Sequence, residues 1–318
     1  MSTGRRRAGA HRADHPQRKT IMPRILVTGA TGNIGRLTLR HLLKRRPAGD
    51  LVGLARDPAK AADLAAAGIE IRRGDYFDRE GLARAFAGID TLMLVSATAF
   101  TDRDTQHRSA VEAAVAAGVR HVVAMPIIRE PGSTFVMPQV TREDRFMEER
   151  LEASGLGWTL LAHPPFLDSI EFFVGGDALE SGVRVPPGAG KAGFAARDDL
   201  AEAHAVVLGE IADGERRHDS RAYALYGDPA VSFADTAALL STLAGRDVPY
   251  VTVPDADYIA RLVAKGLPEP AAAFALAWVQ GINEGAWNGA PGDLATLLGR
   301  KPVSADTFLR ARFAGSER

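Results

Sequence analysis

Cysteine is missing from the 318-residue chain. Its absence removes disulfides, thiolate nucleophiles and cysteine-based metal sites together, and agrees with a reducing compartment. An excess of either charge is missing too. Lys+Arg and Asp+Glu balance at 39 each, so no overall field draws the protein to a nucleic-acid backbone or an anionic membrane. The expected partner is a small molecule, with neither nucleic acid nor membrane involved; a homo-oligomer or a protein partner stays open. No apolar run approaches the roughly 20 residues of a membrane helix, so a soluble, cytoplasmic protein is expected. The eight histidines are scattered without His-Glu-x-x-His or similar ligand spacing, and no metal site is expected.

What is present is material for a large core: 46% of the residues are hydrophobic, which suits one large α/β domain or one domain with an appendage. Residues 1–22 stand apart. They carry Arg5, Arg6, Arg7, Arg12, Arg18 and Lys19 against Asp14, with little to bury and no apolar stretch after the arginines. The expectation is a disordered basic leader rather than a secretory signal, and Met22 is a second candidate for the translation start.

From Arg24 onward short apolar runs alternate with amphipathic stretches. Strands are expected at Arg24–Thr28, Leu51–Ala55, Ile69–Arg73, Thr91–Val95, His121–Met125 and Trp158–Ala162. Helices of helical period fall between them, near 34–46, 58–67, 79–87, 103–117 and 141–153. This alternation predicts right-handed crossovers and a Rossmann-type, doubly wound parallel sheet over residues 23–165. After Pro164-Pro165 the alternation ends. Residues 166–318 are expected to form a smaller, mostly helical lobe that closes over the ligand and selects substrate, with the chain crossing back to the core. Strand candidates there are Arg221–Tyr226 and Tyr250–Val253.

Gly29, Gly32 and Gly35 lie three apart, directly after the first strand and before the first helix. In that context the turn Thr28-Gly29-Ala30-Thr31-Gly32-Asn33-Ile34-Gly35 reads as a dinucleotide-binding fingerprint. Gly29 lets the backbone leave the strand tightly, Gly32 clears the pyrophosphate, and Gly35 permits close helix–sheet packing. At the end of the second strand, where an NAD site places a carboxylate, the sequence has Arg56. A guanidinium there suits a 2′-phosphate, so the expected cofactor is NADP(H). Asp57 keeps two readings, as the N-cap of the helix opening at Pro58 or as a ribose contact. Asp75 and Tyr76, after the third strand, are placed to edge the adenine. Ser96 and Ala97, after the fourth, are placed beside the nicotinamide ribose. Each of these four has an ordinary turn role as its alternative.

The segments Val27–Gly35, Ala55-Arg56-Asp57-Pro58, Gly74-Asp75-Tyr76, Ala153–Leu161, Arg197–Ala201 and Leu298–Pro302 together resemble the NmrA-like branch of atypical short-chain dehydrogenases. The resemblance covers nearly everything after Met22. It implies an NAD(P)H-binding Rossmann fold, in a group that includes NADPH-dependent quinone reductases and redox-sensing regulators. The chain departs from the typical Tyr-x-x-x-Lys proton-donor pair, whose places fall at Val140 and Asp144. Neither residue can do that work. The usual Arg-Pro-Gly after the sixth strand is replaced by Ala162-His163-Pro164.

Hydride transfer to a quinone or similarly electron-poor acceptor needs no strong protein acid, and this is the leading expectation. Phe100, Pro126 and Phe166 are the candidate substrate walls, because they lie just past strand ends. His163 is the candidate catalytic residue, as a hydrogen-bond or proton donor near neutral pH, with plain packing beside Pro164 as the alternative. An NADP(H)-sensing regulator without turnover, or a non-redox tailoring enzyme of secondary metabolism, also fits the missing pair. Phe274, Trp278 and Trp287 read as core or subunit contact, and Arg145, Glu148, Glu149 and Arg150 as a solvated helix face.

Overall fold

A computed structural model describes residues 23–314; the basic leader expected at residues 1–22 lies outside them. The first half runs β1 (Ile25–Val27), α1 (Asn33–Leu43), β2 (Leu51–Ala55), α2 (Ala62–Ala66), β3 (Glu70–Arg73), α3 (Arg79–Phe86) and β4 (Thr91–Leu94). It continues with α4 (Arg103–Ala116), β5 (His121–Ala124), α5 (Val140–Glu152) and β6 (Gly157–Ala162). After β6 come α6 (Ser169–Val174), α7 (Ala178–Ser181), β7 (Val183–Val185), α8 (Arg197–Ala212) and β8 (Arg221–Ala224). The last elements are α9 (Phe233–Ala244), β9 (Tyr250–Thr252), α10 (Asp255–Ala264), α11 (Glu269–Glu284), α12 (Asp293–Leu298) and α13 (Ala305–Ala314).

The main sheet is parallel throughout, in the order β3-β2-β1-β4-β5-β6-β8. Successive strand residues point to opposite faces, and the sequence supplies apolar side chains on both. Ile25, Val27, Leu51, Met93 and Val123 pack against Leu39 and Leu42 of α1 and Leu200, Ala203 and Val207 of α8. Leu26, Val52, Leu92 and Val122 turn the other way, against Phe86 of α3, Val111 of α4 and Met147 and Leu151 of α5. Burial on both faces is why these strands read as continuous apolar runs.

The second half of the chain divides. α8, β8 and α12 complete the main sheet and one of its faces. A separate core, built on Phe173, Tyr226, Phe233, Tyr258, Val279 and Trp287, holds the other late elements, with the two-stranded sheet β7-β9 at its side. Phe274 and Trp278 pack against this core, and Trp287, 1% exposed, stacks on Trp278 with ring centroids 4.7 Å apart.

On α5 the face expected to be solvated is partly engaged. Glu148 pairs with Arg129, and burial pushes its carboxyl above the usual range against the opposing pull of that arginine. Asp144, wholly buried, accepts from the Arg103 guanidinium at 2.8 Å and from the Ile127 N–H at 2.8 Å. Arg103 donates also to Glu143 at 3.1 Å. The group thus ties α4, α5 and the segment after β5 together, and Val140 is core. Among the described residues no helix is long and apolar enough to cross a membrane.

Candidate functional site

The strand order reverses between β1 and β4, and in open α/β sheets ligands sit beyond the strand ends at such a point. A cleft of about 560 Å³ opens there. Its floor is the glycine turn, and each glycine has its own physical reason. Gly29 takes φ +61, which a side chain disfavours, although a Cβ would meet nothing nearer than 3.5 Å. At Gly35 a Cβ would stand 2.4 Å from the Gly29 carbonyl oxygen and 2.7 Å from that of Thr28, so α1 can approach the turn only without one. Gly32 faces the cleft, where a Cβ would occupy ligand space and crowd only the Gly29 carbonyl, at 3.3 Å.

Gly32 is also the N-cap of α1. It offers no side-chain cap, and the first turn holds no acid. The free N–H groups and positive dipole end are left for an anion. The cradle fits a pyrophosphate on these grounds.

Thr31, Gly32, Asn33, Ile34 and Gly35 line the cleft with Gly29. Arg56, Asp75 and Tyr76 line it beyond β2 and β3, and Ser96 and Ala97 beyond β4. Thr28 does not. It is fully buried beneath the turn, its Oγ1 accepting from the Val95 N–H at 2.8 Å and lying 3.1 Å from the Met93 carbonyl and 2.6 Å from the Tyr76 hydroxyl. Its role is to lock the ends of β1 and β4 in register. The Tyr76 hydroxyl also lies 2.7 Å from the Val95 carbonyl, and burial raises its pKa above the usual phenol value, so it stays protonated. Asp57 is an N-cap: its carboxylate accepts from the Ala59 N–H at 3.1 Å.

The acceptor end of the cleft is bounded by Ser96, Thr98, Thr101, Gln106, Met125 and Phe166. Two of the hydroxyl protons here are already committed. Ser96 donates to the Met125 carbonyl at 3.1 Å, and Thr101 donates to the Thr98 carbonyl at 2.7 Å while accepting from Gln106 Nε2 at 2.7 Å. The Arg197 guanidinium stacks 4.3 Å over the Phe166 ring and is anchored by Asp168.

Three sequence expectations fall outside this wall. Pro126 is buried, its carbonyl accepting from the His163 N–H at 2.8 Å. Phe100 is 54% exposed and packs edge-on against Phe274 of α11, at 5.0 Å between centroids. His163 is 3% exposed; its Nε2 lies 2.7 Å from Nε2 of His204 on α8, and the two rings stack. Burial, with His204 and Arg197 nearby, holds the His163 pKa well below the usual value. A neutral ring shut off from solvent has neither the access nor the proton that an acid catalyst needs, so the packing alternative describes it better. Conversely, Phe77, Thr98, Thr101, Gln106 and Met125 line the cleft although no sequence motif marks them.

Residues 29–210 match the model of a family described as NAD(P)H-binding. Quinone oxidoreductase 2 of Escherichia coli (strain K12) is 35% identical over 246 residues, which are 77% of this chain and 83% of that protein. An NmrA-like family domain-containing oxidoreductase of Aspergillus flavus is 26% identical over 231 residues, 71% of this chain and 73% of that one. The crystal structure of the NADPH-dependent quinone oxidoreductase from Escherichia coli, complexed with NADPH, superposes with a TM-score of 0.83 at 31% identity, covering 91% of this chain and 99% of that one. The chain belongs to the NAD(P)H-binding family, among its NmrA-like reductases.

Proposed function

We propose that the protein is an NADPH-dependent reductase that passes hydride to a quinone or a similarly electron-poor small molecule. The observation that carries this reading is the cleft itself: Arg56 at one end, an uncapped glycine cradle in the middle, and at the other end an acceptor wall with no charged acid, where Ser96 and Thr101 spend their hydroxyl protons on backbone carbonyls. Bound NADPH supplies a hydride. The chain's own residues orient the acceptor against the wall of Phe166, Met125 and Gln106, and the reduced oxygens take their protons from water. α5 contains neither tyrosine nor lysine, and this acceptor class does not require them.

The reading is supported by the likeness to quinone oxidoreductase 2 and tested by mixing purified protein with NADPH and a panel of quinones, enones and azo dyes, following reduced-nicotinamide absorbance. Turnover with at least one acceptor is expected. No turnover with any of them, together with a marked difference in affinity between oxidised and reduced cofactor, identifies a sensor instead. Product formation without net cofactor consumption identifies a non-redox enzyme.

NADPH over NADH rests on Arg56, whose side chain is exposed at the cleft rim and suited to a phosphate by its planar fork. Arg56→Ala is expected to lower the ratio of NADPH to NADH affinity on the order of tenfold, the contribution of a charge-assisted hydrogen bond. An unchanged ratio rejects Arg56 as the selector.

A further inference from the structure

The β2–β3 register pairs Ala55 with Arg73, which sets the last residue of β3 beside the strand end that delivers Arg56. Both arginines are exposed and line a second groove of about 680 Å³. That groove joins the cofactor cleft through three shared residues, Arg56, Gly74 and Asp75. Its acids are already engaged with backbone. The Asp75 carboxylate accepts from the Phe77 N–H at 3.0 Å, and Asp78 accepts from the Gly81 N–H at 2.8 Å as the N-cap of α3.

The neighbouring Arg72 is engaged as well. Its Nε donates to Glu70 at 2.7 Å and its Nη1 to the carbonyls of Ala85 and Ala87, at 2.6 and 2.8 Å. Arg84 lies 4.0 Å from Glu80. Among the described residues Arg56 and Arg73 are the two cations of the groove with no carboxylate or carbonyl partner.

We infer that Arg73 is the second arm of a clamp on the cofactor's 2′-phosphate, and so a specificity-determining residue; the inference rests on the NADP(H) reading above. Magnitude favours two arms over one. One charge-assisted arm supports the roughly tenfold preference assigned to Arg56, and a second independent arm multiplies it by a similar factor. Two permanently charged forks converging on one dianion from adjacent strands hold it in a fixed geometry and desolvate it together. Among the described residues neither fork is paired with a carboxylate, so both are available to the phosphate.

The test is calorimetric binding of NADPH and of NADH to the wild type, Arg56→Ala, Arg73→Ala and the double variant. Arg120→Ala, at the opposite end of the sheet and paired with Asp90, controls for loss of one positive charge. Arg73→Ala is expected to weaken NADPH on the order of tenfold and leave NADH within about twofold, with the double variant losing the preference altogether and Arg73→Lys restoring part of it. Equal NADPH to NADH ratios in Arg73→Ala and wild type overturn the inference, as does the same loss in Arg120→Ala or an equal loss for both cofactors. A wild type that favours NADH overturns the cofactor reading itself, and shows this before any substitution is made.

Discussion

Single residues in the glycine turn do separable jobs, and substitutions should separate them. Gly35→Ala forces a Cβ to within 2.4 Å of the Gly29 carbonyl, a backbone contact that cannot rotate away. We expect a loss of about 1–3 kcal/mol in stability, the usual range for overpacking, measured by urea denaturation without cofactor. Gly32→Ala meets only one carbonyl, at 3.3 Å, and should unfold within about 0.5 kcal/mol of wild type while binding NADPH at least tenfold more weakly. If the two variants show the same stability and the same affinity, the distinction is wrong. This turn was legible in the sequence because strand, turn and helix are contiguous. The orientation of His163 was not: its position past a strand end could be read, but which way its ring turns depends on His204, 41 residues later. Gln106 and Thr101 carried no sequence signal, since a polar residue entering a helix usually faces solvent.

At the scale of elements, α5 contains neither tyrosine nor lysine and its buried face is structural. Asp144 closes a buried ion cluster with Arg103 and Glu143 and holds the Ile127 N–H. Burial drives the Asp144 carboxyl above its usual range, with Arg103 pulling the other way, so the arginine is what keeps the charge tolerable. Arg103→Met strands two buried carboxylates. It should cost about 3–5 kcal/mol, read as a shift in urea midpoint, whereas a loss under about 1 kcal/mol places the cluster in effective contact with water. That this helix lacks tyrosine and lysine is visible in the sequence, but the role of Asp144 is not, because Arg103 sits two elements earlier. Strand positions were read to within a residue or two, since burial on both faces leaves unbroken apolar runs. After β2 the structure is less helical than the sequence implies: Pro58–Ala61 forms a 3-10 turn before α2 begins.

At the scale of the molecule, burial holds His107, His121, His163 and His204 of the described residues in neutral form. Burial lowers the pKa of His107 and His204 to about 3 and that of His121 to about 4, and takes His163 well below its usual 6.5. The unfolded chain takes up protons below pH 6.5 that the native protein refuses. Stability should therefore be complete above that pH and fall as pH drops toward 3, by up to about 1.4 kcal/mol per pH unit for each such histidine. The paired carboxylates of Asp63 and Glu70, held to about 2 by their arginines, start from ordinary values of 3.8 and 4.5, so they join the decline only at the acid end. Between about pH 7 and 5 the raised carboxyls of Asp144 and Glu148 act in the opposite sense, so the histidine share is read by difference: His204→Gln should make the fall in urea midpoint shallower than in wild type, and an unchanged slope contradicts the neutral burial of His204.

The packing of α8 onto α1, with β8 closing the sheet beside β6, also reaches into biosynthesis. On the ribosome, the apolar stripe of the first helix emerges about 150 residues before its cover, given the ranges Asn33–Leu43 and Arg197–Ala212. For that interval the nascent chain exposes a sticky surface next to an unfinished sheet edge. A nonsense codon or ribosome stall near residue 165 should release an aggregation-prone fragment rather than a working nucleotide-binding module.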